Sequence, residues 1–274
     1  MTPPAPVPIA VIGGSGLYRL FDDDAERVEL DTPYGPPSDA VTIGELAGRR
    51  VAFLPRHGEG HRFAPHRINA RANLWALARL GVRAIVSSSA VGGLDPALRP
   101  GDLVLPSQLI DRTWGRDDTF FDEQVQHLPA ADPFDPQLRR VAAAALREAG
   151  ESPVEDATTV VVQGPRFSTR AESRWYRAAG ADIVNMTQYP EAVLAAELGV
   201  GLVALSFVTD TDADVDEHGA PTVDAADAEL VLARMAHAAP RIQAAIAAIV
   251  AAIPADYAGR PLLPADAVEA VLAR

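Results

Sequence analysis

Short runs rich in valine and isoleucine alternate with helical patterns along this chain, and that alternation constrains the fold more than any other feature. The runs fall at 9–12, 51–54, 84–87, 103–106, 159–162, 183–185 and 201–207. Continuous apolar runs of this length suit strands buried on both faces of a sheet. Residues 69–80, 136–149, 168–179 and 190–198 carry apolar side chains at helical spacing and lead into Gly81, Gly150, Gly180 and Gly199. Glycine suits the left-handed turn just past a helix end. An alanine-rich helical stretch over 223–253 stops at Pro254, and 264–274 reads as one more short helix. Together these imply an α/β fold, a single domain with a mixed, largely parallel central sheet flanked by helices. Ligands then collect beyond the carboxyl ends of the strands.

With 274 residues the chain can bury one large core, so a single domain over 9–274 is expected, without internal repeats or a linker. The proline-rich residues 1–8 read as a disordered tail, since they have almost nothing to bury. The net charge of −13 opposes contact with nucleic acid or anionic lipid, so a phosphate ligand needs a local basic pocket. There is no cysteine, which removes thiolate chemistry and disulfides. Nothing resembles a signal segment or an unbroken run of about 18 apolar residues, so a cytoplasmic protein without membrane contact is expected.

Chemistry concentrates at the strand ends. The first apolar run enters Gly13-Gly-Ser-Gly16, where the backbone can approach a ligand and Ser15 can donate to an oxyanion. A dinucleotide fingerprint starting at Gly14 needs glycine at position 19, which is Arg19, and no Walker motif is present. The second run ends in Pro55-Arg-His-Gly58, with His61 and His66 beyond. Arg56 offers a planar fork for phosphate oxygens and His57 a further donor, although a solvated loop would read the same way. Metal binding is not expected there, because no helical His pair with a glutamate and no cysteine ligands exist.

Ser87-Ser-Ser-Ala90 ends a further run and again presents hydroxyls; a serine nucleophile lacks its G-x-S-x-G elbow. Gln163-Gly-Pro-Arg-Phe-Ser168 passes from strand to helix, offering the Phe167 ring to a planar base and Ser168 as a helix N-cap, unless Phe167 is simply core. Asp210 and Asp212 follow the last long run. In an extended segment residues two apart point the same way, so both carboxylates could meet one base edge; a solvated acidic turn is the alternative.

Taken together, Ile12-Gly-Gly-Ser-Gly-Leu17, Pro55-Arg-His-Gly58, Asn73-Leu-Trp-Ala-Leu77, Ile110-Asp-Arg-Thr113, Gln163-Gly-Pro-Arg-Phe-Ser168, Asn185-Met-Thr187 and Thr209-Asp-Thr-Asp212 resemble, in order, the trimeric purine nucleoside phosphorylase family. The similarity is greatest to its methylthioadenosine phosphorylase branch and spans about residues 9–253. The resemblance implies the nucleoside phosphorylase fold and a phosphate site built from Ser15, Arg56, His57, Ser89, Ala90 and Thr187. It also implies that Phe167, Ser168, Asn185 and Met186 line the base and ribose, and that Asp210 and Asp212 act catalytically at N7 and the exocyclic amine of the purine. His61 and Val223 would border the pocket for the 5′ substituent, and His127 would come from a neighbouring subunit of a homotrimer. No cofactor or metal is implied; inorganic phosphate is a co-substrate.

The 6-oxopurine branch uses an asparagine in the region where this chain has its aspartate pair. A carboxylate accepts from a 6-amino group, so adenine is expected rather than hypoxanthine or guanine. The expected reaction is phosphorolysis of 5′-methylthioadenosine or a related 5′-deoxyadenosine. A 6-oxopurine nucleoside phosphorylase, a non-catalytic nucleoside-binding protein and a dehydrogenase are the competing readings.

Overall fold

A computed structural model of the chain describes residues 6–22, 24–213 and 225–274. Among the described residues, eleven strands form one sheet: β1 (Ile9–Gly13), β2 (Glu26–Val28), β3 (Val41–Leu46), β4 (Arg49–Pro55), β5 (Ala84–Gly93), β6 (Leu103–Leu105), β7 (Gln108–Arg112), β8 (Val154–Glu155), β9 (Thr158–Val162), β10 (Ile183–Asn185) and β11 (Gly201–Asp210). Six α-helices among the same residues flank it: α1 (Ala70–Arg79), α2 (Pro136–Glu148), α3 (Arg170–Ala178), α4 (Gln188–Glu197), α5 (Ala228–Ala252) and α6 (Ala265–Leu272). The main path runs β2-β3-β4-β1-β5-β10-β9-β7, while β11 pairs with β5 and β6, and β6 with β8. Six pairings are parallel and four antiparallel, so the sheet is mixed and mostly parallel.

Both faces of the central strands are buried, and the side chains sort by the strand period of two. Ile9 and Val11 enter a core with α2 and α5, while Ala10 and Ile12 enter a core with α1, α4 and α6. Val51 and Phe53 divide from Ala52 and Leu54 in the same way. That is why these runs are apolar throughout. Helix α5 is long and apolar enough by composition to cross a membrane, yet Ile242, Ile246, Ile249 and Val250 lie buried in the core it shares with α2.

Four strands lack an apolar run in the sequence. β3 alternates buried and partly exposed residues, β7 is an exposed edge, and β2 and β8 have three and two residues. The expected tail also shortens: Val7 is fully buried and its N–H donates to Leu80 O at 3.0 Å, so the packed chain includes residue 7. The helix after Phe167 begins one residue past the expected cap. Thr169, not Ser168, accepts from Glu172 N, and the Glu172 carboxylate accepts from Thr169 N, a reciprocal capping box.

The largest departure concerns Ser87–Gly93, expected as a strand end and loop and found as the second half of β5. One edge of β5 is paired with β11 over Ala84–Gly92. The other edge pairs with β1 through Ser87 and with β10 at Gly92 and Gly93. Between those neighbours, Ser88–Val91 has no strand on that edge, and the sheet opens. Gly92 sits where the opening closes. A Cβ there would lie 2.8 Å from Asp210 Oδ1, 3.0 Å from Val184 Cγ1 and 3.2 Å from Asp212 Cβ.

Gly92→Ala is therefore expected to cost about 1–3 kcal/mol, as overpacking does, read by urea denaturation, and to weaken nucleoside binding by displacing the aspartates. A variant with the parent's stability and nucleoside KM would show that the junction has room.

Candidate active site

The opening beside β5 must satisfy the backbone groups that β1 and β10 leave behind. Two side chains do so. Arg56 Nη1 donates to Ser88 O at 2.8 Å, and Asn185 Nδ2 donates to Ala90 O at 3.1 Å. Alternation along the strand aims the Ala90 amide at the same edge. Beneath the opening lies a cleft of about 830 Å³. The structure brings Ser15, Arg56, His57, His61, Ser89 and Ala90 to its walls, together with Phe167, Ser168, Asn185, Met186 and Thr187 and with Asp210 and Asp212. His127 lies exposed and does not line the cleft, and Val223 falls outside the described residues.

Arg56 differs from the free phosphate fork expected of it. Its Nε and Nη2 bond both oxygens of Glu191 at 2.7 and 3.1 Å, and Nη2 also donates to Ser87 Oγ at 2.7 Å. With Nη1 on Ser88 O, one of the five N–H groups remains for a ligand. The Arg56 side chain is 1% exposed and that of Glu191 6%. Gly14 makes the arrangement possible, since a Cβ there would sit 2.5 Å from Ser88 O and 2.9 Å from Arg56 Nη1. Ser89 accepts from Gln188 Nε2 at 3.1 Å, which leaves its hydroxyl proton free to donate.

His57 also differs from the further donor to a ligand expected of it. Its Nδ1 must donate to Phe63 O, 2.8 Å away, so Nε2 is an acceptor in the neutral ring. Burial, helped by the neighbouring Arg56 and His61, pushes its pKa down to about 4 against the pull of the Phe63 carbonyl. At neutral pH its Nε2 can accept a hydrogen bond from a phosphate hydroxyl instead of supplying charge. His61 stacks on it with ring centroids 4.1 Å apart.

Asn185 has its polar atoms committed within the protein. Besides Ala90 O, its Oδ1 accepts from Thr187 N and Gln188 N, each at 2.7 Å, and so caps the start of α4. It positions Thr187.

The aspartates are buried, at 3% and 1% exposure, which rules out a solvated turn. They converge by a different route from the extended segment expected. Asp210 ends β11 at a register shift, Asp212 lies in the left-handed region at φ 50°, and Asp212 N donates to Asp210 Oδ1 at 2.8 Å. Thr209 Oγ1 stands 2.7 Å from Asp210 Oδ2 and 3.2 Å from Val91 O. Its single proton can serve the carboxylate when Asp210 is ionised and the carbonyl when Asp210 is protonated. Burial pushes the Asp210 carboxyl up to about 6, against the Thr209 and Asp212 N–H bonds, with the charge of Asp212 adding to the rise. Burial also raises Asp212, whose Oδ2 accepts from the Ser173 hydroxyl.

The wall not assigned from sequence is apolar: Ala228, Val231, Leu232 and Ala236 of α5 line the cleft. Glu191 was also missed, although it and Glu197 are the two charges in the otherwise apolar 190–198 helix, and a charge on such a helix signals a buried partner. Among the described residues no group of three or more His, Cys, Asp or Glu is arranged to hold a metal ion. Removing one partner of a buried ion pair costs about 3–5 kcal/mol, so Glu191→Ala should destabilise the chain by that order in urea denaturation. A loss below about 1 kcal/mol would contradict the pair's place in the fold.

The pattern of the phosphorylase superfamily matches residues 8–251. An S-methyl-5′-thioadenosine phosphorylase of Mycolicibacterium smegmatis is 54% identical over 208 residues, covering 76% of this chain and 78% of the relative. A purine nucleoside phosphorylase of Streptomyces coelicolor is 49% identical over 256 residues, covering 90% and 89%. Among solved structures, a methylthioadenosine phosphorylase from an Antarctic soil metagenomic library superposes with a TM-score of 0.84 at 41% identity, over 97% of this chain and 99% of that one. With the superfamily pattern spanning most of the chain, and relatives half identical over three quarters of it or more, the chain belongs to the phosphorylase superfamily.

Proposed function

We propose that the cleft cleaves 5′-methylthioadenosine, or a related 5′-deoxyadenosine, with inorganic phosphate, giving adenine and the 5-substituted ribose 1-phosphate. The observation that carries this reading is the buried pair Asp210 and Asp212 in the same cleft as the Arg56, His57, Ser89 and Thr187 cluster. The bond from the sugar to the purine nitrogen breaks and its electron pair goes to the base. The bond from the sugar to a phosphate oxygen forms. In between, the sugar carries positive charge that the bound phosphate offsets, so the protein acts mainly by positioning.

The leaving purine gathers negative charge, and Asp210 in its acid form relieves it by giving a proton to N7. Asp212, held by the Ser173 hydroxyl, accepts from the 6-amino group. Ser15, Ala90 and Thr187 complete the phosphate site, and Phe167, Ser168 and Met186 the base and ribose walls. The apolar wall of α5 favours a methylthio group over a 5′ hydroxyl, because a buried hydroxyl without a partner is penalised; His61, also on the cleft wall, borders the 5′ substituent in this reading.

The reading includes a cytoplasmic homotrimer without cofactor, acting in purine and methionine salvage. In support of the trimer, His127 is exposed and does not reach the cleft of its own chain. The relatives bear two names, one for methylthioadenosine and one for purine nucleosides generally. The aspartate pair separates them, since a 6-oxo group offers an acceptor where a carboxylate needs a donor.

Initial rates on 5′-methylthioadenosine, adenosine and inosine at saturating phosphate should fall in that order, with inosine at least about a hundredfold below the first. A preference for inosine would overturn the base assignment. Asp210→Asn keeps a hydrogen-bond donor but cannot transfer a proton, so its kcat should drop by about a hundredfold or more; full activity would remove Asp210 from the proton step.

The pH dependence follows from the same group. A carboxyl raised to about 6 is protonated below that pH and loses its proton above it. The ratio of kcat/KM between parent and Asp210→Asn should therefore decline above about pH 6, the titration of free phosphate cancelling in the ratio. A flat ratio from pH 5 to 8 would contradict the acid role.

A further inference from the structure

Arg116 lies outside the cleft, on the chain segment after β7, yet it meets both walls of the cleft from behind. Its five N–H groups have five acceptors. Nη1 donates to Met186 O at 3.0 Å and Tyr189 O at 2.6 Å. Nη2 donates to Gln163 O at 3.0 Å and Val162 O at 3.4 Å, and Nε donates to Gln163 Oε1 at 3.2 Å. Gln163 locks the segment in turn, accepting from Trp114 N at 3.1 Å and donating to Trp114 O at 3.0 Å.

Every acceptor of Arg116 is an uncharged carbonyl. Keeping a part-buried cation without a bonded carboxylate is costly, and burial pulls its pKa down to about 10. What the fork gains is a bridge between segments far apart in sequence. Val162 and Gln163 lead to Phe167 and Ser168 on one wall of the cleft, and Met186 and Tyr189 bracket Thr187 on the other. Tyr189 is tied to the same segment a second time, its hydroxyl donating to Asp118 at 2.6 Å.

We infer that Arg116 is a positioning residue that sets the separation between the Gln163–Ser168 wall and the Met186–Thr187 wall, and with it the fit of the nucleoside. The inference rests on the proposed phosphorolysis. A point cation cannot bridge two carbonyl pairs as a planar guanidinium does, so lysine should not replace it. The proposed phosphate site also includes Ser15 and His57, which follow β1 and β4, and Ser89 and Ala90 of β5, none of which Arg116 touches, so the two substrates should respond unequally.

The test is steady-state kinetics of Arg116→Ala and Arg116→Lys as full-length protein, with the parent measured alongside on 5′-methylthioadenosine and phosphate. The nucleoside KM should rise about tenfold or more in both variants, while the phosphate KM changes by less than about threefold. Millimolar guanidinium should restore part of the loss in the alanine variant. If alanine prevents folding, the lysine variant decides by the same criteria. Folded variants with both KM values within about twofold of the parent, or with only a lower melting temperature, would overturn the inference. Inactivity of the parent would instead refute the proposed reaction.

Discussion

The edge of β5 that exchanges one neighbour for another is the constraint on which the site depends. β1 leaves it after Ser87 and β10 joins it at Gly92, so the strand runs through the middle of the sheet with one edge bare over Ser88–Val91. A bare edge inside a protein must find partners for its carbonyls, and Arg56 and Asn185 supply them. Arg56 then needs a counter-charge, which fixes Glu191 and hence α4. Asn185 caps that same helix and sets Thr187. A ligand entering the gap meets groups already held by the repair of the sheet.

The cleft is electrostatically quieter than its residue list suggests. Arg56 is balanced by Glu191, His57 is neutral at physiological pH, and Asp210 is near its midpoint at slightly acid pH. In a chain with a net charge of −13, holding back ionised carboxylates keeps the cleft receptive to an anion. A bound phosphate then donates a hydrogen bond to His57 Nε2, and the Asp210 carboxyl holds the proton that the leaving purine needs.

Much of this was legible in the sequence, for physical reasons that differ by element. The apolar runs of β1, β4, β9 and β11 were visible because both faces are buried. β3 and β7 were not, since a strand with one exposed face or edge carries only half the signal. The serines of β5 read as a loop because their hydrogen bonds depend on a branch in the sheet that no local pattern encodes. The ligand-facing residue types were identifiable, but not the protonation of His57, the engagement of Arg56 by Glu191, or the turn that joins Asp210 to Asp212. Each arises from contacts between residues distant in sequence or from burial.

In the proposed reaction the opening beside β5 transfers a sugar to phosphate and not to water. Phosphorus NMR of the protein incubated with 5′-methylthioadenosine and inorganic phosphate tests that most directly. A new sugar phosphate ester resonance growing in proportion to released adenine is the expected result. Adenine released while the inorganic phosphate signal stays constant would contradict it, because the cleft would then be a hydrolytic site.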